Sequence, residues 1–172
     1  LAHARRHNQR VALMFIDLDN FKDINDTLGH DVGDKLLKEA AVRLQEVVRD
    51  VDTVARLGGD EFTAILGECD AEGADLVSKR IVDELATSFD IDGRQLFVSA
   101  SVGIAFFPED GEDSNALVKA ADSAMYRAKE LGRNRVEYFV PDLHVRLLKR
   151  ATLESALRGA LDVLIATRSE ER

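Results

Sequence analysis

The amino-acid sequence predicts a domain of the α/β or α+β class, with helices covering a sheet of about five strands. Three observations support this prediction. The run RVALMFIDLD at residues 10–19 has the length and composition of a buried strand that ends in acidic residues. Two short apolar segments flank Gly58-Gly59, as the strands of a β-hairpin do. Amphipathic segments fill most of the remainder, and the predicted order is β-α-α-β-β-α-β-α-β-α.

Two helices are predicted between the first strand and the hairpin. Residues 20–30 carry apolar side chains at helical spacing, and Gly29 ends the pattern. Residues 31–50 are strongly amphipathic, because their apolar side chains recur at intervals of three and four. Residues 53–57 and 61–67 are then the two strands of the hairpin.

Further elements are predicted after the hairpin. In chain order they are a helix at 70–89, one long strand at 94–108, a helix at 115–134 that stops at Gly132, and a short strand at 136–139. A long helix with a mixed face follows Pro141. The predicted organisation is therefore one domain at residues 1–140 and a linker-like C-terminal helix at 141–172.

Length and charge limit the classes of function. The 172 residues fit one domain, and a hydrophobic content of 45% is enough for a core. The formal net charge is −9, from 23 basic and 32 acidic side chains, which argues against nucleic acid as a partner. A nucleotide substrate stays open, because a bound metal ion can neutralise phosphate groups locally.

The cysteine content indicates a reducing compartment, and the hydropathy of the sequence indicates no membrane span. Cys69 is the single cysteine, so neither an internal disulfide nor a cysteine zinc site can form. Apolar runs such as VALMFI are too short to span a bilayer, and no secretory signal is visible. We expect a cytoplasmic domain without membrane contact of its own. Because the chain starts at Leu1, we expect a fragment of a longer protein, whose other domains could carry a membrane anchor.

Acidic residues follow the first strand and the hairpin turn. Asp17 ends the first strand, and Asp60 and Glu61 lie at the hairpin tip. If that strand lies beside the hairpin, these carboxylates converge at one edge of the sheet. Carboxylates and a backbone carbonyl are ligands that Mg²⁺ takes from proteins, with substrate phosphates completing its coordination. Gly58 and Gly59 would leave room for a phosphate. The plainer alternative is a solvated hairpin turn.

Four blocks of the sequence resemble the GGDEF family of diguanylate cyclases. RLGGDEF at 56–62 resembles the family signature, and FIDLDNFKDINDTLGHDVGD at 15–34 resembles the first strand and the helices after it. SVGIAFFPEDG at 101–111 and ADSAMYRAKELGRNRV at 121–136 resemble later blocks, in the family's order. The resemblance covers residues 10–140 and implies a mainly antiparallel sheet, like that of nucleotide cyclases and polymerase palm domains.

The resemblance implies an enzyme that condenses two GTP molecules into cyclic di-GMP and releases two pyrophosphates. Each domain of a homodimer binds one GTP, and the two domains face each other. Mg²⁺ or Mn²⁺ is expected on Asp17, the carbonyl of Leu18 and Asp60. Asp60 and Glu61 are the expected catalytic acids, with Asp60 assisting deprotonation of the attacking 3′-hydroxyl.

Substrate-binding residues are also implied by the resemblance. Asn25 and Asp34 match the guanine-reading positions, and Lys129, Arg133 and Lys22 match positions near the phosphates. Lys129 and Arg133 are four apart on a predicted helix and so would share a face. Without the resemblance, all of these residues would be taken as ordinary surface side chains.

A second site is implied by RDVD at residues 49–52. It matches the RxxD product-inhibition site of a subset of the family, in which arginine and aspartate bind guanines of cyclic di-GMP. Arg49 and Asp52 are the predicted inhibitory residues, and Arg80 on the next helix is a further candidate. Most RxxD sequences elsewhere are surface ion pairs at helix ends.

The sequence departs from the family pattern at both ends. The DxLTGLxNR segment that usually precedes the first strand is missing, and the chain starts in LAHARRHNQR, which resembles the helix just after it. LLKRATLESALRGAL resembles the helix that joins GGDEF to EAL phosphodiesterase domains, so an adjacent regulatory or EAL domain is an expected partner. Two alternatives stay open: a non-catalytic GTP- or cyclic di-GMP-binding module, and another nucleotide cyclase or polymerase-like palm.

Overall fold

The computed structural model describes residues 1–141 and 157–158. Its helices are α1 Ala2–Arg6, α2 Phe21–Leu28, α3 His30–Val47, α4 Ala71–Ala86 and α5 Ser114–Glu130. Its strands are β1 Val11–Leu18, β2 Thr53–Gly58, β3 Glu61–Gly67, β4 Phe89–Ile91, β5 Arg94–Leu96, β6 Ala100–Phe107 and β7 Arg135–Tyr138. No helix in this described part is long and apolar enough to cross a membrane.

The chain consists of two compact units, Leu1–Phe139 and Val140–Arg172, each defined by contacts among its own residues. The first unit contains every strand of the described chain. The helix that the sequence predicts after Pro141 lies outside the described residues, apart from helical Leu157 and Arg158. The boundary between residues 140 and 141 therefore stays a prediction.

The main sheet has five strands in the order β2-β3-β1-β6-β7. Neighbouring strands are antiparallel except for β6 and β7, which are parallel. The predicted five-stranded, mainly antiparallel sheet flanked by helices is thus confirmed. β1 is the central strand, so its last residues lie beside both β3 and β6.

Alternation along β1 divides its side chains between two hydrophobic cores. Ala12, Met14, Ile16 and Leu18 belong to the core shared with α2, α3 and α4. Val11, Leu13 and Phe15 belong to the core shared with α1 and α5. The strand is buried along its whole length, which explains its continuous apolar sequence.

Gly103 on β6 allows α5 to lie close to the sheet. A Cβ atom at this position would lie 2.1 Å from the backbone oxygen of Ala121 and 2.1 Å from the backbone nitrogen of Met125. Both of these atoms belong to the backbone of α5, so neither could move aside as the end of a side chain can. The glycine therefore sets the position of the helix that carries Lys129.

The predicted helix at 70–89 is too long at its C-terminal end. Helix α4 ends at Ala86, and Phe89 begins a separate two-stranded hairpin of β4 and β5. The guanidinium of Arg43 donates to the carbonyl oxygens of Glu84, Thr87 and Ser88 and lies 3.6 Å from the centre of the Phe89 ring. These contacts satisfy carbonyl groups at the helix end and stop its continuation.

The predicted long strand at 94–108 is in fact two strands. β5 pairs with β4 through a tight turn, in which Asp92 and Gly93 have φ angles of 55° and 75°. An Asp-Gly turn of this kind is a strong hairpin signal that the sequence interpretation overlooked. Residues 97–99 are not in a strand, and β6 begins at Ala100 in the main sheet.

Candidate functional site

The strand register brings the acidic segments together at one edge of the sheet. Asp17 is paired with Glu61 across β1 and β3. The backbone nitrogen of Leu18 donates to the carbonyl oxygen of Asp60 at 3.2 Å. The expected convergence of the first strand and the hairpin tip is therefore present, with Asp60 and Glu61 both half-buried.

Asp17 is a buried carboxylate with a lysine as its partner. It is 5% exposed, and its Oδ1 atom lies 2.8 Å from Nζ of Lys129. Burial raises the pKa of Asp17 from 3.8 to about 6, although the hydrogen bond and charge of Lys129 oppose this change. The negative charges of Asp60 and Glu61 are smaller contributions to the same increase.

The hairpin turn leaves open space beside these acids. Gly59 has a φ angle of 53°, a left-handed conformation that favours glycine. A Cβ atom added at Gly58 or Gly59 would meet no heavy atom within 4 Å. Nε of Arg56 donates to the carbonyl oxygen of Gly59 at 2.9 Å and so stabilises the turn. A group as large as a phosphate could therefore approach the turn backbone.

The donor chemistry of this edge fits a hard divalent cation. Asp17 and Asp60 offer carboxylate oxygens, and the charges of Asp60 and Glu61 add negative potential at Asp17, which Lys129 partly offsets. Within residues 1–141 and 157–158, no group of three or more His, Cys, Asp or Glu side chains is arranged to hold a metal ion. A cation at this edge would therefore need oxygens from backbone groups, water or a bound substrate.

Helices α2 and α3 approach each other at Asn25 and Gly33. A Cβ atom at Gly33 would lie 1.8 Å from Oδ1 of Asn25, so the glycine makes room for the Asn25 amide. That buried oxygen has no hydrogen-bond partner among the described residues. Asp34 follows Gly33 and is exposed, as is Lys22 on α2. The structure thus brings the helix segments of the predicted guanine-reading residues together.

The end of α5 corrects the predicted placement of Arg133. The helix ends at Glu130, and Gly132 adopts a φ angle of 115°. The backbone nitrogen of Gly132 donates to Lys129 O, and that of Arg133 donates to Ala128 O, as in a Schellman motif. Arg133 is therefore in a turn and does not share a helix face with Lys129.

Asp19 is a site residue that sequence reasoning missed. It is 3% exposed, and its carboxylate accepts hydrogen bonds from the hydroxyls of Ser99 and Ser101 and from the backbone nitrogen of Asn134. These partners are distant in sequence, so the only local signal was a second acid two residues after Asp17. Asp19 thus joins the end of β1 to β6 and to the turn before β7.

Arg49 and Asp52 form a two-point ion pair. Nε and Nη2 of Arg49 donate to the two carboxylate oxygens of Asp52 at 2.9 and 2.8 Å. Asp52 also accepts from the backbone nitrogen of Gly67, and Arg49 donates to the Gly67 carbonyl oxygen. Burial disfavours the Asp52 charge, but the bonds from Arg49 hold the pKa of Asp52 below its ordinary value. The pair therefore also fastens the end of α3 to β3.

Arg80 lies on α4 and is exposed. It makes no hydrogen bond or ion pair with any residue in the described part of the chain. No contact among the described residues links it to Arg49 or Asp52.

The mixed sheet, with paired acids beside a glycine turn, is the palm-like fold of nucleotide cyclases. The family described as diguanylate cyclase, GGDEF domain, matches residues 1–135. The chain belongs to this GGDEF family.

Two curated relatives come from Pseudomonas aeruginosa. The cyclic di-GMP phosphodiesterase NbdA is 41% identical over 161 residues, which are 94% of this chain and 21% of NbdA. The diguanylate cyclase TpbB is 43% identical over 138 residues, which are 77% of this chain and 31% of TpbB. The chain thus spans less than a third of the length of these relatives.

Solved structures share the fold. The isolated GGDEF domain of TpbB matches with a TM-score of 0.80 and 38% identity, over 86% of this chain and 87% of that chain. The GGDEF domain of DgcB from Caulobacter crescentus, solved in complex with c-di-GMP, matches with a TM-score of 0.74 and 29% identity, over 80% of this chain and 82% of that one.

Proposed function

We propose that this domain is a diguanylate cyclase. In each of two steps, a ribose 3′-oxygen forms a bond to the α-phosphorus of the other GTP, pyrophosphate leaves, and the hydroxyl proton is released. Two GTP molecules thereby give one cyclic di-GMP and two pyrophosphates. The observation that carries the proposal is the convergence of Asp17, Asp60 and Glu61 at an intact RLGGDEF signature, with Lys129 beside them.

We assign the metal and acid–base roles to this edge. Asp17, the Leu18 carbonyl and Asp60 would hold Mg²⁺ or Mn²⁺, which would neutralise phosphate charge and lower the pKa of the attacking hydroxyl. Asp60 and Glu61 are half-buried carboxylates next to the open turn, so they can accept or orient that proton.

The remaining residues bind the nucleotide. Lys129, Arg133 and Lys22 supply positive charge for the triphosphate, and Gly58-Gly59 leave space for it. Asn25 and Asp34 bind the guanine edge. The close approach of their helices at Gly33 supports this assignment, because an amide and a carboxylate complement the guanine donors and acceptor.

Catalysis by this domain requires two copies, because each nucleotide supplies the nucleophile for the other. We propose a homodimer with the two sites facing each other, formed by a cytoplasmic domain of a longer protein. Adjacent regulatory domains, with an EAL domain among the candidates, would control that encounter. The much greater length of NbdA and TpbB supports this arrangement.

Product inhibition is proposed at Arg49 and Asp52, with Arg80 as a further contact. Cyclic di-GMP is bound in the DgcB structure, which supports product binding by domains of this fold. Nη1 of Arg49 has no hydrogen-bond partner among the described residues, so the guanidinium can donate to a guanine while it keeps its bonds to Asp52.

The second candidate is a GTP- or cyclic di-GMP-binding regulatory module without turnover. One observation favours it: NbdA, which is 41% identical to the chain over 161 residues, is named as a phosphodiesterase. The intact acidic signature favours the cyclase, because turnover needs both acids whereas binding alone does not.

Product analysis separates the two functions. The chain, alone and fused to a dimerising coiled coil, is incubated with GTP and Mg²⁺, and the products are separated by mass-resolved chromatography. Cyclic di-GMP with two pyrophosphates per molecule supports the cyclase. A fusion that binds GTP but forms no product would establish the module instead, and a linear or monomeric cyclic product would indicate another nucleotide cyclase.

A further inference from the structure

Asp19 has a buried side chain whose oxygens accept hydrogen bonds from neutral donors. Its Oδ1 accepts from Oγ of Ser101 at 2.7 Å, and its Oδ2 accepts from Oγ of Ser99 at 2.6 Å and from the backbone nitrogen of Asn134 at 3.1 Å. No cationic side chain of the described residues pairs with it. Asp17, two residues earlier in the chain, has Lys129 as its partner instead.

The third donor belongs to an unusual turn. Arg133 and Asn134 both have left-handed backbone conformations, with φ angles of 62° and 47°. Such conformations are uncommon for residues with a side chain, and two in succession need support from the surroundings. The hydrogen bond from the Asn134 nitrogen to Asp19 provides such support, because it fixes the backbone immediately after Arg133.

The corner between α5 and β7 is therefore bonded to the end of β1 at two points. Lys129 contacts Asp17, and five residues later Asn134 contacts Asp19. Arg133 lies between these two points. Its direction relative to the acidic edge depends on both bonds, although its own guanidinium contacts neither carboxylate.

We propose that Asp19 is a positioning residue, which fixes the 131–134 turn and thereby directs Arg133 toward the phosphates of a bound nucleoside triphosphate. This inference rests on the proposed GTP site. Asp19 itself does not touch the nucleotide, because its carboxylate oxygens are buried and already accept three hydrogen bonds.

A double-mutant cycle tests the inference. Asp19→Ala, which removes the acceptor of the Asn134 nitrogen, is compared with Arg133→Ala and with the double variant in the complete 172-residue chain, by binding of α,β-methylene-GTP. We expect Asp19→Ala alone to weaken binding about tenfold, and to have little further effect once Arg133 is alanine. Ser99→Ala is the matched control, because it removes a hydrogen bond to the same carboxylate oxygen without touching the turn. We expect it to weaken binding much less.

Amide hydrogen exchange in the nucleotide-free chain provides an independent readout. The Asn134 amide should exchange about tenfold faster in Asp19→Ala, and should change little in Ser99→Ala. Asp19→Ser, whose side chain is shorter than that of aspartate, should give the same pattern if the alanine variant folds poorly.

Two results would overturn the inference: equal losses of affinity from Asp19→Ala in both backgrounds, or unchanged exchange at Asn134 in that variant. Failure of the proposed function has a different signature, because the unsubstituted chain would then bind no α,β-methylene-GTP. In that case the functional part of the inference fails as well, whereas the exchange experiment still decides whether Asp19 holds the turn.

Discussion

Nζ of Lys129, in the last turn of α5, lies 2.8 Å from Oδ1 of Asp17 at the end of β1. The proposed function assigns Asp17 to a metal ion and Lys129 to phosphate. In the free protein the two side chains therefore neutralise each other, and each must exchange its partner when substrate and metal arrive. The competition between Lys129 and the metal ion for Asp17 can therefore be measured as the metal affinity of the nucleotide-free protein.

Lys129→Met should make nucleotide-free protein bind Mn²⁺ more tightly, because the lysine no longer competes for Asp17. A gain of about two- to fivefold is expected from a partly exposed ion pair. The same variant should bind α,β-methylene-GTP more weakly. Mn²⁺ titration followed by electron paramagnetic resonance measures the first effect, and calorimetry measures the second.

Arg133→Met is the control for this experiment. It removes a positive charge from the same corner but leaves the pair of Asp17 and Lys129 intact, so Mn²⁺ affinity should stay close to that of the wild type. Equal or weaker Mn²⁺ binding by Lys129→Met would show that Lys129 does not compete with the cation.

The raised pKa of Asp17 predicts a pH-dependent stability difference. Between the ordinary value of 3.8 and the folded value of about 6, the folded chain keeps a proton that the unfolded chain releases. The contribution of this group is therefore present below the lower value and is lost as pH rises to the higher one. Without metal, Asp17→Asn should gain stability relative to wild type across this window, by about 3 kcal/mol at most.

Urea unfolding of both proteins at a series of pH values, with a chelator present, gives the difference directly. A difference that stays constant from about pH 4 to about pH 7 would contradict the raised pKa. The comparison is made between two proteins, so carboxylates that titrate equally in both cancel.

Gly33→Ala should damage nucleotide binding more than folding. A Cβ atom there would lie 1.8 Å from Oδ1 of Asn25, so the amide must leave its position. We expect α,β-methylene-GTP affinity to fall about tenfold, the effect of losing a good hydrogen bond. Gly73→Ala in α4 is the control for a helical glycine, because its Cβ would meet its nearest atom at 3.1 Å. Equal affinities in both variants would argue against guanine recognition by Asn25.

Alanine substitutions at Arg49 and at Asp52 should have different effects on product inhibition and on stability. Arg49→Ala should keep turnover and lose inhibition by cyclic di-GMP, because the guanidinium is the exposed member of the pair. Asp52→Ala should in addition lower stability by roughly 1–3 kcal/mol, since it leaves the Gly67 nitrogen without its acceptor. Turnover at rising product concentration and thermal melting measure the two effects. Unchanged inhibition in Arg49→Ala would exclude this site.

Local sequence signals predicted most of the fold but missed the contacts that complete the site. The apolar run of β1, the glycine hairpin and the stop at Gly29 are local patterns, and each was confirmed. The predicted C-terminal end of α4 was wrong because Phe89 continues the apolar spacing of Ile81 and Leu85. In the structure, Arg43 from α3 binds the carbonyl groups of Thr87 and Ser88 and packs on the Phe89 ring, and the helix ends before them.

The bonds of Asp17 to Lys129 and of Asp19 to Asn134 join residues more than a hundred positions apart. No local pattern reports such pairs. The family resemblance indicated that Asp17 and Lys129 belong to one site, but it did not indicate that they bind each other in the free protein. The raised pKa of Asp17 follows from burial, which also depends on the packed structure.

The most direct test of the central claim compares wild-type chain with Asp60→Ala, both fused to a dimerising coiled coil. Cyclic di-GMP formation from GTP and Mg²⁺ is measured together with α,β-methylene-GTP binding. The proposed mechanism predicts that the variant loses turnover by at least about a hundredfold while it still binds the analogue through the guanine and phosphate contacts. A variant that forms cyclic di-GMP at the wild-type rate would contradict the assignment of this carboxylate edge as the active site.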